Sequence, residues 1–160
     1  MSPDLTHLDA TGHPHMVDVG DKSETDREAT AEGWVLLSPG AYDAVVHGRV
    51  KKGDVFLVAE LAGIQGAKRT SDLIPLCHPL PLSGVDVHFE LLPDGVRCEA
   101  TARTMDRTGV EMEAMTAVSV ALLTVYDMIK AVDRGMTLSG VRLLRKSGGR
   151  SGTWTRGSEG

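Results

Sequence analysis

The sequence contains few cysteines and few aromatic residues. Only Cys77 and Cys98 are cysteines among 160 residues, and aromatic residues make up 4% of the chain. Two cysteines are too few for a disulfide framework, and a chain of this length can bury a core without one. The polar start, Met1-Ser2-Pro3-Asp4, also lacks the apolar stretch of a secretory signal. We therefore expect reduced thiols, a single folded domain and a cytoplasmic protein.

The sequence also lacks an excess of positive charge and a long apolar run. Lys plus Arg number 17 and Asp plus Glu number 22, which gives a formal net charge of -5. This balance disfavours general attraction to nucleic acid or to an anionic membrane. The longest uncharged helical stretch, Ala114 to Tyr126, is shorter than the roughly 20 residues of a membrane span. We expect no nucleic-acid partner and no membrane partner, so an anionic ligand would need a local cationic site.

Apolar periodicity predicts alternating strands and helices. Apolar residues alternate with polar ones on both sides of Pro93-Asp94-Gly95, which indicates an antiparallel hairpin. Apolar positions three and four residues apart indicate two amphipathic helices. The predicted elements are a strand at 33–37, helices at 39–46 and 53–70, strands at 85–91 and 96–103, a helix at 111–133 and a strand at 136–143. This order is typical of the α+β class with a ferredoxin-like fold, a four-stranded antiparallel sheet with helices packed on one face.

The two ends of the chain differ in composition from the middle. Residues 1–28 are mostly polar and predict a mobile N-terminal arm with one short strand at Met16–Val19. Residues 147–160 include five glycines and three serines and predict a flexible tail. The single domain is therefore predicted at 29–146. Within it, three prolines between Leu73 and Leu82 predict a rigid loop.

Individual residue patterns leave several interpretations open. Cys77 and His78 are neighbours in the rigid loop, but adjacent residues seldom chelate one ion, so we predict no metal site. Asp127 and Lys130 share a helix face and could form an ordinary surface ion pair. Glu113 and Asp127 lie about 21 Å apart along the predicted helix at 1.5 Å per residue. One small ligand could contact both only if a second subunit contributed one of them.

Longer stretches of sequence carry a resemblance. They are Met16–Val19, Ala62–Thr70, Asp72–Leu80, Thr108–Ala114, Tyr126–Val132 and Lys146–Gly149. Together and in this order they resemble the MoaC family, the cyclic pyranopterin monophosphate synthases of molybdenum cofactor biosynthesis. The resemblance extends from about Leu5 to Gly152. Two departures are Arg150, where many relatives carry lysine, and Ile129, at a position often held by cysteine.

The resemblance implies a reaction and an assembly. The substrate would be (8S)-3',8-cyclo-7,8-dihydroguanosine 5'-triphosphate, a cyclised GTP derivative. It would be rearranged to cyclic pyranopterin monophosphate with release of diphosphate, by a phosphorus-oxygen lyase that needs no redox cofactor. The family assembles as a homohexamer, a trimer of dimers, with sites at the dimer interfaces. A second subunit would then account for the separation of Glu113 from Asp127.

The resemblance also implies roles for particular residues. Lys52 would be the general acid, and Asp127 with Lys130 the pair that transfers protons and orients the reacting groups. Glu113 would suit the N–H edge of the guanine, and the cations would serve the triphosphate. The implied substrate-binding residues are Asp18, Arg27, Lys68, Leu76, Cys77, His78, Glu111, Met112, Glu113 and Lys146.

Two other classes of function compete with the enzyme. A non-catalytic nucleotide-sensing module could keep the fold and the anion site without turnover, although intact Lys52, Asp127 and Lys130 argue against it. A purely structural protein would carry these charges as solvated surface, and substituting them would leave any response to ligand unchanged.

Overall fold

The computed structural model describes residues 6–157, so the first five residues of the predicted arm and the last three of the predicted tail lie outside it. The strands are β1 (Thr25–Leu36), β2 (Leu82–Leu92), β3 (Gly95–Asp106), β4 (Thr137–Ser147) and β5 (Trp154–Thr155). The helices are α1 (Pro39–Val46), α2 (Val55–Lys68), α3 (Thr70–Leu73) and α4 (Glu111–Ile129).

The five strands form one antiparallel sheet in the order β2-β3-β1-β4-β5. This confirms the α+β class and the antiparallel sheet, whereas the predicted number of four strands is wrong. The additional strand, β5, pairs Trp154 with Lys146 and Thr155 with Arg145, inside the segment predicted to be a flexible tail. The ferredoxin-like designation stays a prediction.

The N-terminal segment differs from the expectation in two ways. β1 begins at Thr25, inside the predicted arm, because Thr25 and the residues after it pair with the end of β3. The strand predicted at Met16–Val19 is wrong, since the structure has no regular element there. Both edges of β1 are already paired, one with β3 and the other with β4. Residues 16–19 therefore have no free edge of β1 with which to pair. The bridge of Leu8 with Pro14 is isolated.

The two longer helices begin and end close to the predicted positions. The Asp54 carboxylate accepts a hydrogen bond from the Leu57 amide at 3.0 Å, which caps α2. α2 ends at Lys68, and a separate short turn, α3, follows. α4 ends at Ile129, earlier than the predicted 133, and the Val132 amide then donates to the carbonyl of Ile129 three residues before it, as in a turn.

The core lies between the sheet and the pair α2 and α4. Ten residues of α4 are buried. Where α2 crosses α4, a Cβ on Gly66 would come within 2.8 Å of Val120, and one on Gly63 within 3.0 Å of the Ala117 carbonyl. These glycines therefore permit close contact between the two helices. The two helices run antiparallel, so the start of α2 lies near the end of α4, and Gly66 near the end of α2 lies against Val120 in the middle of α4.

α4 is long and apolar enough to cross a membrane by length and composition alone, with a mean hydropathy of 1.4. In this fold 56% of that stretch is buried inside the protein. The absence of a membrane partner stays a prediction.

The sheet face away from the helices carries ion pairs across the strands. Glu32 on β1 is only 4% exposed, and its two carboxylate oxygens accept hydrogen bonds from Arg97 and Arg142, both at 2.8 Å. Arg142 also lies over the Trp34 ring at 5.1 Å. This charged face alternates along β1 with core residues such as Ala31 and Val35.

Candidate active site

A lysine-aspartate cluster lies where the start of α2 meets the end of α4. Lys52 Nζ is 2.7 Å from Asp127 Oδ2 and 3.0 Å from the Asp127 carbonyl oxygen. Lys130 Nζ is 2.7 Å from Asp127 Oδ1. Gly53 follows Lys52 with a φ of 102°, a left-handed conformation that glycine adopts easily. The turn before α2 therefore brings Lys52 to a residue 75 positions later in the chain.

The electrostatics of this cluster hold Asp127 as a carboxylate. The hydrogen bonds from Lys130 and then Lys52 lower the pKa of Asp127 to about 2. All three side chains are about half exposed, at 50% for Lys52, 53% for Asp127 and 51% for Lys130. The cluster thus presents two ammonium groups, fixed by one carboxylate, at a surface that a ligand can reach.

A cavity of about 310 Å³ lies at the other end of α4. Residues of the proline-rich loop, the first turn of α4 and the N-terminal segment surround it. The lining residues are Thr6, His7, Val17, Val19, Lys22, Leu76, Cys77, His78, Leu80, Thr108, Gly109, Glu111, Met112 and Glu113. Six residues predicted to bind substrate are among them, and the three residues of the lysine-aspartate cluster are not.

Glu113 is the most unusual group in this cavity. It is 4% exposed, and burial followed by the charge of Glu111 raises its pKa to about 7. Burial, and then the charge of Glu113, also raises the pKa of the Cys77 thiol. Glu111, by contrast, lies 3.6 Å from Lys146 Nζ. A buried carboxyl group that lines a cavity can bind a polar edge of a ligand or exchange a proton with it.

The remaining predicted residues occupy separate positions. Lys68 lines a separate groove. This groove lies beside the first cavity, because Leu80 lines both. Asp18 is exposed, and its carboxylate accepts a hydrogen bond from the Gly20 amide at 2.8 Å. Arg27 lines a second cavity next to the first. Within one chain, therefore, the predicted site residues form a cavity region and a distant lysine-aspartate cluster.

Several lining residues of the first cavity are not among the residues predicted from the sequence. Thr6, His7 and Lys22 come from the segment predicted to be a mobile arm, and they line the first cavity. Thr108 and Gly109 belong to a stretch that carries the family resemblance but were not assigned a role. Periodicity offers no signal for such residues, because their position depends on how the N-terminal segment packs beside α4.

The fold and these two regions define an α+β protein with a cavity that contains a buried carboxyl group, and with a separate, exposed cluster of two lysines around one aspartate. The family model described as the MoaC family matches residues 16–149, which is most of the chain and includes every predicted site residue. The chain belongs to the MoaC family and has a role in molybdenum cofactor biosynthesis. The resemblance found in the sequence is thereby confirmed.

Proposed function

We propose that this chain is a cyclic pyranopterin monophosphate synthase. It converts (8S)-3',8-cyclo-7,8-dihydroguanosine 5'-triphosphate to cyclic pyranopterin monophosphate and diphosphate. The observation that carries the proposal is the contact of both Lys52 and Lys130 with Asp127 at 2.7 Å, in a chain that belongs to the MoaC family. We further propose that the enzyme is a cytoplasmic homohexamer and a phosphorus-oxygen lyase.

The cluster supplies the groups that this chemistry requires. When the cyclic phosphate closes, a substrate hydroxyl oxygen bonds to the α-phosphorus, and the bond from that phosphorus to the oxygen bridging to the β-phosphate breaks. Diphosphate leaves, and the hydroxyl proton passes to solvent. Lys52 acts as the general acid of the rearrangement, and its ammonium group is held by the Asp127 carboxylate. Lys130, on the other carboxylate oxygen, orients Asp127 and adds a second positive charge near the developing anion.

The cavity binds the purine-derived part of the substrate in this proposal. Leu76 and Met112 supply apolar contacts, while His78 and Glu113 supply polar ones. A protonated Glu113 can donate a hydrogen bond and an ionised Glu113 can accept one, so its pKa of about 7 suits a substrate whose proton positions change.

The distance between cavity and cluster supports a site shared by two subunits. Glu113 and Asp127 lie about 21 Å apart along one helix at 1.5 Å per residue. We propose that the cavity of one protomer faces the cluster of its partner in a trimer of dimers. Mixing two inactive variants, Asp127→Asn and Glu113→Ala, then restores activity, to about a quarter of the wild-type value for random pairing of two-site dimers. Absence of any recovery from mixed and reassembled subunits argues against a shared site.

A comparison of adjacent lysines tests the catalytic assignment. Lys52→Ala is expected to lower diphosphate release by about 10² to 10⁴-fold, the range for loss of one acid-base group. Lys51→Ala is the matched control, since Lys51 is also exposed and lies one residue away. It is expected to retain wild-type turnover. Equal activity in both variants would contradict the assignment of Lys52.

The same measurements distinguish the nucleotide-sensing alternative. A sensor binds the cyclised GTP derivative in the cavity and forms no product, even as wild-type protein. Calorimetric binding together with a product assay on one preparation therefore separates the two functions.

A further inference from the structure

The lysine-aspartate cluster is built on the last turn of α4. Asp127 lies two residues before the end of this helix, and Lys130 comes directly after it. The last carbonyl groups of a helix lack amide partners within the helix, and the helix dipole favours cations there. Lys52 Nζ takes such a position, because it donates to the Asp127 carbonyl at 3.0 Å as well as to the carboxylate. The geometry of the cluster therefore depends on an intact last turn.

The segment that follows α4 is short and mostly in contact with solvent. Residues 130–135 are exposed except for Asp133, which is half-buried, so burial does little to hold this segment in place. At its start, the Lys130 amide donates to the Tyr126 carbonyl at 2.9 Å. Because helix ends fray when nothing else supports them, the hydrogen bonds at the far end of this segment determine how firmly the last turn is held.

The side chain of Tyr126 connects this segment to the core. Its ring is partly buried and packs against the hydrophobic core. Its hydroxyl donates to the Arg134 carbonyl at 2.9 Å, eight positions further along the chain. Lys130 comes four residues after Tyr126, so the two side chains lie on the same face of the helix. Tyr126 therefore closes the loop that begins at Lys130 and attaches it to the body of the protein.

Asp133 makes a second attachment of the same loop. Its Oδ1 accepts a hydrogen bond from the Gly135 amide at 2.7 Å, and its Oδ2 accepts one from the Ser38 amide at 3.4 Å. Ser38 is the N-cap of α1, so the loop is also attached to a second helix. Neither attachment involves a side chain of the lysine-aspartate cluster, so each can act on the cluster only through the loop.

We infer that Tyr126 is a positioning residue for the reaction: its hydroxyl holds the segment after α4, so that Lys130 stays in contact with Asp127. This inference rests on the proposed function and deepens it, because it adds a residue that controls the cluster without contacting the substrate. When the attachment is weakened, the last turn opens for part of the time, and fewer molecules hold both lysines on Asp127. The cluster serves the chemical step, so kcat falls and KM does not change.

Tyr126→Phe tests the inference, because it removes the hydroxyl and keeps the ring in the core. We expect kcat for diphosphate release to fall about five- to tenfold, the factor that corresponds to the net contribution of one hydrogen bond. Tyr42→Phe is the matched control, since it removes the chain's other tyrosine hydroxyl, on α1, and it is expected to retain wild-type kcat. Asp133→Ala removes the second attachment and is expected to lower kcat as well, which keeps the test valid if one variant fails to fold.

Two further measurements separate positioning from a general loss of stability. The pKa of Asp127, followed through its carboxyl carbon by NMR, should rise from about 2 toward 3.8 in Tyr126→Phe, because fewer molecules hold both lysines on the carboxylate. It should stay near 2 in Tyr42→Phe. In a Lys130→Ala background, Tyr126→Phe should have little further effect on kcat, since the group that it positions has been removed.

Three results would each overturn the inference: wild-type kcat in Tyr126→Phe, an unchanged pKa of Asp127 in that variant, or the same loss of kcat with and without Lys130. The last result would show that Tyr126 acts independently of the cluster. The titration of Asp127 requires no turnover, so it separates this inference from the proposed function. A wild-type protein without turnover refutes the synthase, while the titration still decides whether Tyr126 supports the cluster.

Discussion

Replacing Asp127 with asparagine removes one negative charge from between two ammonium groups. In the wild type each carboxylate oxygen contacts a different lysine at 2.7 Å. An asparagine side chain has only one acceptor oxygen, so its amide nitrogen would face the second ammonium group, donor to donor. One of the two lysines therefore loses its position. We expect kcat to fall by about 10² to 10⁴-fold, as for loss of positioned acid-base chemistry.

The structure also predicts which properties should not change. In the proposed function Asp127 positions the two lysines and does not itself bind the substrate, so KM is expected to change much less than kcat. Its side chain is 53% exposed, so the unfolding midpoint is expected to stay close to that of the wild type. Steady-state kinetics and thermal unfolding measure both, with Asp43→Asn on α1 as an exposed, ion-paired control. A large rise in KM with unchanged kcat would refute the reasoning.

Three further predictions concern stability. The fold raises the pKa of Glu113 from 4.5 to about 7, so between these pH values the unfolded state binds fewer protons than the folded state. The free energy of unfolding should therefore fall by about 3 kcal/mol as the pH rises through this range. Urea unfolding at pH 5 and pH 8 should show this decrease in the wild type and its loss in Glu113→Gln. Glu32→Gln should lower the free energy of unfolding by about 2 kcal/mol, because it leaves Arg97 and Arg142 poorly paired. The control is Glu90→Gln, which should not change urea unfolding measurably because Glu90 is exposed. Gly33→Ala should cost about 1 to 3 kcal/mol, since its Cβ would lie 2.9 Å from Leu122; an unchanged unfolding midpoint would contradict the packing.

The sequence was most informative where the pattern is local and regular. The apolar stripe of α4 and the alternation around Pro93-Asp94-Gly95 predicted a helix and a hairpin that the structure contains. Asp54 at the start of α2 is also of a residue type that commonly caps helices, and it does so here. In each case, neighbouring residues determine the structure through backbone hydrogen bonds and a single buried face.

The sequence was least informative where a segment's conformation depends on distant partners. β5 has two residues, too few to show any alternation, and it exists because the end of β4 offers a free edge. Lys22 and Arg150 lie in segments whose composition suggests flexibility, yet they line one cavity. Family resemblance implied that Lys52 and Asp127 serve one reaction, but their contact could not be derived from spacing, because 75 residues separate the two.

Conversion of the cyclised GTP derivative by the wild-type protein, followed by phosphorus NMR, tests the central claim most directly. If the chain is the synthase, equal amounts of a cyclic phosphate diester and diphosphate form, with both signals lost in Lys52→Ala and retained in Lys51→Ala. A wild-type protein that binds the substrate but leaves its triphosphate signals unchanged would contradict the synthase and favour the nucleotide sensor.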